Sequence, residues 1–145
     1  MPKASELTAQ LKACLERINP GNGFDTELRT VLAGAAQART DQAMPFAMLR
    51  AVLDTRVSAA GCQASRKRTY QVEVAFKASA EDALLDAAAV DIQRALGFGR
   101  DDFDERFPGL VDDEDQIEFT EGSTNGKPTR VVIVTFSLIY VETYH

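Results

Sequence analysis

The stretch that decides the fold runs from Arg68 to Gly97, "RTYQVEVAFKASAEDALLDAAAVDIQRALG", and its apolar period changes part of the way along. Up to Ala78 apolar and polar residues alternate, which is typical of a β-strand with one buried face. After it the apolar residues recur every three or four positions, the spacing of an amphipathic helix. We expect a strand and then a helix that pack on one core. The inward residues are then Tyr70, Val72, Val74 and Phe76 in the strand, and Leu85, Ala88, Ala89, Ile92 and Leu96 in the helix.

The ends of this helix carry recognisable signals. Ser79 with Asp82 three residues later has the spacing of a capping box. Gly97 is well placed as a left-handed C-terminal stop. Asp91 and Arg94, one helical turn apart, are expected to pair on the helix surface.

An amphipathic helix is also expected near the start of the chain. Its stripe is formed by Leu7, Leu11, Leu15 and Ile18. Ser5 is expected to cap its first turn. Pro20 and Gly21 end it, because proline cannot donate the next helical hydrogen bond.

The remaining strands are read from apolar, extended segments. "FDTELRTVLAG" is expected to be a short strand entering a hairpin, and "PFAMLRAVLDTRVSA" the strand after it. The final segment, "VVIVTFSLIYVETY", is apolar on both faces and is expected inside the sheet, joined to the strand before it by "STNGKP". The predicted fold is α+β in the order helix-β-β-β-helix-β-β. A mainly antiparallel sheet of four to five strands carries two α-helices packed on one face, and residues 1–145 form a single domain.

The composition argues against nucleic-acid binding and against insertion into a membrane. The chain of 145 residues has a formal net charge of -6, so repulsion disfavours unaided binding to nucleic acid or to an anionic membrane. No segment has the run of apolar residues that a membrane helix needs, and the charged start is unlike a signal peptide. A folded protein of the cytosol is therefore expected.

The glycine-rich turn "NPGNGF", Asn19–Phe24, is a candidate phosphate-binding loop. Phosphate cradles usually place a strand before the glycines and a helix after them, whose free amides bind the anion. Here a helix precedes the turn and a strand follows it, and no Gly-Lys-Ser/Thr ending is present. A purely structural turn is expected.

The residues that usually carry chemistry are sparse. His145 is the single histidine, and neither Cys14 nor Cys62 has a histidine near it in sequence to form a thiolate. Both cysteines are expected to be reduced thiols, and the set of ligands is too small for zinc. "VDDEDQIEF" lacks the spacing of an EF-hand loop, although weak divalent-cation binding there stays open. No catalytic residue, cofactor or metal site is predicted.

Two oppositely charged segments are the candidate interface. Arg66, Lys67 and Arg68 form a basic run in the predicted loop "SAAGCQASRKR". A second predicted loop, residues 99–115, is acidic and ends in Asp112, Asp113, Glu114 and Asp115. Its apolar residues Phe103, Phe107 and Leu110 are expected to anchor it to the body. Because the charges are complementary, contact between two copies, or with another partner, is more plausible than nucleic-acid recognition by the basic run.

Taken together, the segments resemble one family of phage proteins. The "NGF" turn after a short helix, a strand after "MP", "TYQVEVAF", a helix ending in "DIQRAL" and the closing "VVIVTFSLIYVETY" are similar in order to the tail-terminator (tail-completion) proteins of long-tailed bacteriophages. The resemblance covers nearly the whole chain and rests on pattern and order. It fixes no contact residue.

The resemblance implies a structural virion protein and not an enzyme. Such a protein caps the tail tube as a hexameric ring, ends tube growth and offers a surface for the head connector. Its partners would be further copies of itself, the tail tube protein and the head connector protein, in the virion tail and, during assembly, in the host cytoplasm. DNA would pass through the ring without sequence-specific binding. The alternatives are another head-tail joining or tail-tube component, and a small-molecule-binding regulatory α+β module.

Overall fold

A computed structural model describes residues 2–34, 36–39 and 42–145, with the side chains of residues 112–114 outside the description. The helices of this part are α1 (Lys3–Leu15) and α2 (Asp82–Leu96), and the strands are β1 (Val31–Ala33), β2 (Phe46–Ala60), β3 (Gln63–Lys77), β4 (Leu110–Thr124) and β5 (Lys127–Thr143). The strands form one sheet in the order β1-β2-β3-β5-β4. The predicted α+β class and the predicted element order are confirmed.

The core lies between the two helices and one face of the sheet. The four inward residues predicted for β3 and the five predicted for α2 are all buried there. From β5 the alternate residues Val132, Val134, Phe136 and Leu138 join them, and Phe136 stacks on Tyr70 with ring centroids 5.8 Å apart. Because α1 and α2 contribute to the same apolar cluster, both lie on the same face, as predicted.

Neither helix begins where the capping signals indicate. The N-cap of α1 is Pro2 and that of α2 is Glu81, and no side chain caps either helix from that position. The first amides of α1 are instead satisfied by a distant carboxylate, because Lys3 N and Ala4 N donate to Glu142 of β5 at 3.1 and 3.2 Å. Helix α2 does end at Gly97, which has a φ of 89°. A Cβ at that position would lie 2.4 Å from the carbonyl oxygen of Glu105, so only glycine fits.

Three predictions about the connections are wrong. The first strand does not form a hairpin, because β1 pairs in parallel with β2, Val31 opposite Ala47. The basic segment is not a loop either: β2 and β3 form one long hairpin that turns tightly at Gly61 and Cys62. The acidic loop is shorter than predicted, since β4 begins at Leu110 and its backbone includes positions 112–115.

The far half of the long hairpin has an open outer edge. β1 pairs with β2 only at residues 47–49, so from Ala51 to Ala60 the outer edge of β2 has no strand beside it in the described chain. Two irregularities interrupt the pairing of β2 with β3, one between Ala51 and Leu53 and the other between Arg56 and Ser58. Such bulges bend a strand and increase its twist.

Candidate interface

The predicted basic run lies in β3 and is divided between the two faces of the sheet. Since side chains alternate along a strand, Arg66 and Arg68 share the face of the buried Tyr70, whereas Lys67 faces the opposite side. The guanidinium of Arg68 lies over the Tyr70 ring, 5.6 Å from its centroid. The structure therefore does not form one patch from the three basic side chains.

Asp54 of β2 engages both arginines within the same subunit. Its Oδ1 accepts from Nε of Arg66 at 2.5 Å, and its Oδ2 accepts from Nη1 of Arg68 at 3.0 Å and from the hydroxyl of Tyr140 at 2.5 Å. We call these four residues the Asp54 cluster. One carboxylate thus offsets part of the positive charge that the sequence had suggested for a partner.

The pKa values in the Asp54 cluster reflect this geometry. Burial raises the pKa of Asp54, but the hydrogen bonds from Tyr140, Arg66 and Arg68 outweigh it and hold the pKa below its ordinary value. Burial, followed by the hydrogen bond to Asp54, raises the pKa of Tyr140 to about 12. At neutral pH the cluster therefore consists of an ionised carboxylate, two guanidinium groups and a neutral phenol, a stable arrangement with no group poised for proton transfer.

A cleft of about 480 Å³ lies beside this cluster. Arg66 and Tyr140 line one part of it and Glu142 and Tyr144 another. The hydrogen bonds from Lys3 and then Ala4 lower the pKa of Glu142, so its carboxylate is ionised at neutral pH. The cleft is therefore lined by side chains of both charge signs.

The acidic half of the predicted interface is described only in part. The side chains of Asp112, Asp113 and Glu114 lie outside the described residues. Asp115 is exposed and accepts a hydrogen bond from Nε2 of Gln93 at 2.5 Å. The contact predicted between these residues and the basic run of another copy stays a prediction.

The register brings the two charged segments close together within one subunit. Arg68 lies opposite Leu138 of β5, which lies opposite Leu110 at the start of β4. With strands about 4.8 Å apart, the two segments are roughly 10 Å from each other across the sheet. They occupy one region of the molecule and not opposite ends of it.

Sequence reasoning missed a group of apolar side chains that remain in water. We call them the apolar tip; they are Val52, Leu53 and Val57 of β2 and Ile139 and Val141 of β5, with exposed fractions of 41 to 58%. Leu53 pairs with Thr69 and Ile139 with Lys67, which places both on the face without helices. The two-sided apolar pattern of β5 was a signal for them, because a sheet with helices on one face only cannot bury both faces of that strand.

The buried charge of α2 has a structural role and explains the glycine-rich turn. Asp91 is fully buried, not on the surface as predicted. Its Oδ2 accepts from the backbone N of Thr26 at 2.7 Å, and its Oδ1 pairs with Arg94 at 3.1 Å, as predicted. Arg94 in turn donates to the carbonyl of Gly23 and lies over the ring of Phe24. The turn is therefore held against α2 by Asp91 and Arg94, and no helix follows it to bind a phosphate.

Groups suited to catalysis or metal binding are scarce among the described residues. None of their His, Cys, Asp and Glu side chains cluster in a way that could hold a metal ion. Cys14 and Cys62 are both free thiols, as predicted. The Cys14 thiol donates to the carbonyl of Ala95 at 3.1 Å, and burial raises its pKa, which lowers its reactivity.

Comparison with known proteins places no further constraint on these surfaces. No protein-family model matches the chain, and no curated protein matches it. Neither described helix has the length and apolar character needed to cross a membrane.

Proposed function

We propose that this protein is a structural subunit of a long-tailed bacteriophage that caps the tail tube as a hexameric ring. In this role it ends tube polymerisation and offers the surface to which the head attaches. Its partners are further copies of itself, the tail tube protein and the head connector protein. The proposal assigns it no catalytic activity and no cofactor.

The apolar tip is the observation that carries the proposal. Its five large side chains are half exposed in a single subunit, three on β2 and two on β5, on either side of β3. Exposed apolar groups of this kind usually mark a surface that another protein covers. A ring of subunits supplies such a cover, and the resemblance of the sequence to tail terminators specifies which ring.

The negative net charge of the subunit is consistent with a ring through which DNA passes. Each subunit carries a formal net charge of -6. If carboxylates line the bore of the ring, they repel the phosphates of a passing duplex and prevent it from adhering. The same charge makes tight nucleic-acid binding by one subunit unfavourable.

The test is native mass measured across a concentration series, alone and with purified tail tubes. Six protomers of 15.8 kDa give a closed ring of about 95 kDa, and we expect this species in solution or bound to tube ends. Leu53→Asp is expected to abolish it, because the change places a charge in the apolar tip. Val90→Asp, at a 50% exposed position on α2, is the matched control and is expected to assemble normally.

Each alternative has its own outcome. Open-ended tubes formed by the protein itself would identify a tail-tube component instead of a terminator. If the protein neither forms rings nor binds tube ends, the proposal is wrong.

One observation favours the small-molecule alternative. A cavity of about 490 Å³ lies between the start of α2 and the segment before β1, with Thr26, Arg29, Phe76 and Ser79 in its lining. That volume is within the range of ligand sites. A reproducible rise in melting temperature with one compound, lost in Ser79→Leu, would favour this function.

A further inference from the structure

Phe103 projects from the surface in an acidic setting. At 86% exposure it is the most exposed large apolar side chain of the described residues, and it does not anchor its segment as the sequence had suggested. It begins a short 3₁₀ turn, Phe103–Glu105, that follows Asp101 and Asp102. Between positions 100 and 106 there are four carboxylates and two guanidinium groups, so the surroundings of the ring are net negative. We call residues 101–105 the Phe103 knob.

The Phe103 knob is held in a defined shape. Oδ1 of Asp102 accepts from the backbone N of Asp104 at 2.9 Å and fixes the turn. The base of the knob is tied to the body by Phe107, whose N donates to the carbonyl of Leu96 at 2.8 Å. Phe107 packs against the core. A turn that is already formed in the free protein costs little conformational entropy on binding, which favours its exposed aromatic residue as an anchor for a partner.

A pocket of complementary character lies elsewhere on the same chain. It has a volume of about 440 Å³ and is lined by Met44 and Pro128 together with four basic residues. These basic residues are Arg29, Arg39, Lys77 and Lys127. None of the described residues that line it is acidic. We call it the basic pocket; its apolar and cationic side chains are the complement of an aromatic ring surrounded by carboxylates.

The knob and the pocket lie at opposite ends of α2. Lys77 of the basic pocket lies just before the first turn of α2, whereas the Phe103 knob is fastened to Leu96 in its last turn. A helix of 15 residues is about 22 Å long, so a knob that is tied to Leu96 cannot reach the pocket of its own subunit. A contact between unlike surfaces of identical subunits is heterologous and forms a ring when the rotation closes.

We propose that the Phe103 knob of one copy inserts into the basic pocket of the next copy. Phe103 fills the space against Met44 and Pro128, and its flanking carboxylates face Lys77 and Lys127. The contact deepens the proposed function, on which it rests, by naming the surfaces that would join neighbouring subunits of the ring. It is a different contact from the charge pairing predicted between residues 66–68 and 112–115.

Photo-crosslinking with substituted full-length chains tests the contact directly. Benzoylphenylalanine placed at position 103 is expected to crosslink to Met44 or Pro128 of a second copy, in concentrated solution at low salt or on tail tubes. The same group at position 119, where Phe119 is 54% exposed on β4, is the matched control and is expected to give no crosslink to that pocket. Crosslinks from position 103 to any other surface, or to a tube subunit alone, overturn the proposal, and so does the absence of crosslinks.

Charge reversal provides a second measurement that does not depend on the crosslinker. Asp101→Lys with Asp104→Lys leaves the hydrogen bond from Asp104 N to Asp102 in place and is expected to weaken self-association at least tenfold, and so is Lys77→Glu with Lys127→Glu. A one-to-one mixture of these two doubly substituted proteins brings opposite charges together at both contacts of an alternating assembly and is expected to associate. All four changes in one chain are expected to restore association. Failure of that rescue, with the variants folded, overturns the proposal.

The outcomes separate this contact from the proposed function. If the wild-type protein caps tail tubes and Phe103→Ala caps them equally well, the function stands and the contact is wrong. If position 103 crosslinks to the basic pocket but the protein does not bind tubes, the contact stands and the tail-terminator function is wrong.

Discussion

Removal of the Asp91 carboxylate is expected to destabilise the protein strongly, because Asp91 holds the glycine-rich turn against α2. In Asp91→Ala the backbone N–H of the buried Thr26 loses its acceptor, at a cost of about 1–3 kcal/mol. The ion pair with Arg94, whose side chain is 48% exposed, adds about 0.5–1 kcal/mol. The expected loss is therefore about 2–4 kcal/mol of a total stability that is usually only 5–15 kcal/mol.

The assay is equilibrium unfolding in urea at pH 7, where a slope of roughly 2 kcal/mol per molar converts this loss into a midpoint lower by about 1–2 M. Asp86→Ala is the matched control, because Asp86 is exposed on the same helix and gains the same helix propensity from alanine. Asp91→Asn keeps an acceptor for Thr26 and is expected to lose only about 1 kcal/mol. An Asp91→Ala midpoint equal to that of Asp86→Ala would refute the assignment of Asp91 as the residue that holds the turn.

Three further predictions concern the ionisation of Asp54, the ionisation of Tyr140 and the reactivity of the two thiols. Because the pKa of Asp54 is lowered in the folded state, its contribution to stability is complete above the ordinary carboxyl pKa and is lost as the pH falls through the folded value. The difference in unfolding free energy between the wild-type protein and Asp54→Asn should therefore shrink on acidification. A difference that stays constant with pH would contradict this. The pKa of Tyr140 is about 12, against an ordinary value of 10, so its contribution to stability is lost as the pH rises between these two values. In a pH titration of tyrosinate absorbance, Tyr140 should appear as a late step that Tyr140→Phe removes. With a thiol reagent at pH 8, the exposed Cys62 should react at least tenfold faster than the partly buried Cys14. The two rates are measured separately in Cys62→Ser, which retains Cys14, and in Cys14→Ser, which retains Cys62. Equal rates would show that Cys14 is not protected.

Local periodicity was sufficient for the main elements of the fold. The alternation from Tyr70 to Phe76 and the stripe from Leu85 to Leu96 each have one period and one buried face, so residue type alone located the core. The hairpin turn "TNGK" was also predictable from adjacent residues, because Asn125 and Gly126 both adopt positive φ, as a tight hairpin turn requires. These features depend on residues within a few positions of each other.

The errors arose where partners are distant in sequence. Ser5 has the right chemistry to cap α1, but Glu142 reaches the first amides from the other end of the chain. The segment from Ser58 to Arg68 has little apolar alternation, which indicates a loop, yet it forms strands because β5 pairs along the other side of β3. Parallel pairing of β1 could not be predicted from a segment of three residues.

The charged residues of the candidate interface could be identified from the sequence, but their contacts could not. The basic run was visible, but Asp54 neutralises part of it through a strand register that the sequence does not reveal. Phe103 was expected to anchor its loop, because an apolar residue in a loop usually packs on the body; the neighbouring Phe107 does so, and Phe103 remains outside. Which of two similar phenylalanines faces the solvent depends on how the chain leaves Gly97.

The two bulges in β2 have a consequence for solubility. An exposed strand edge as long as Ala51 to Ala60 is a template on which other chains can add as further strands, and such growth leads to fibrous aggregates. Each bulge changes the phase of the outward N–H and C=O groups, so an incoming straight strand can match no regular stretch longer than the one from Phe46 to Ala51, and β1 already occupies part of that stretch. The irregular edge thus discourages backbone pairing between copies of the chain.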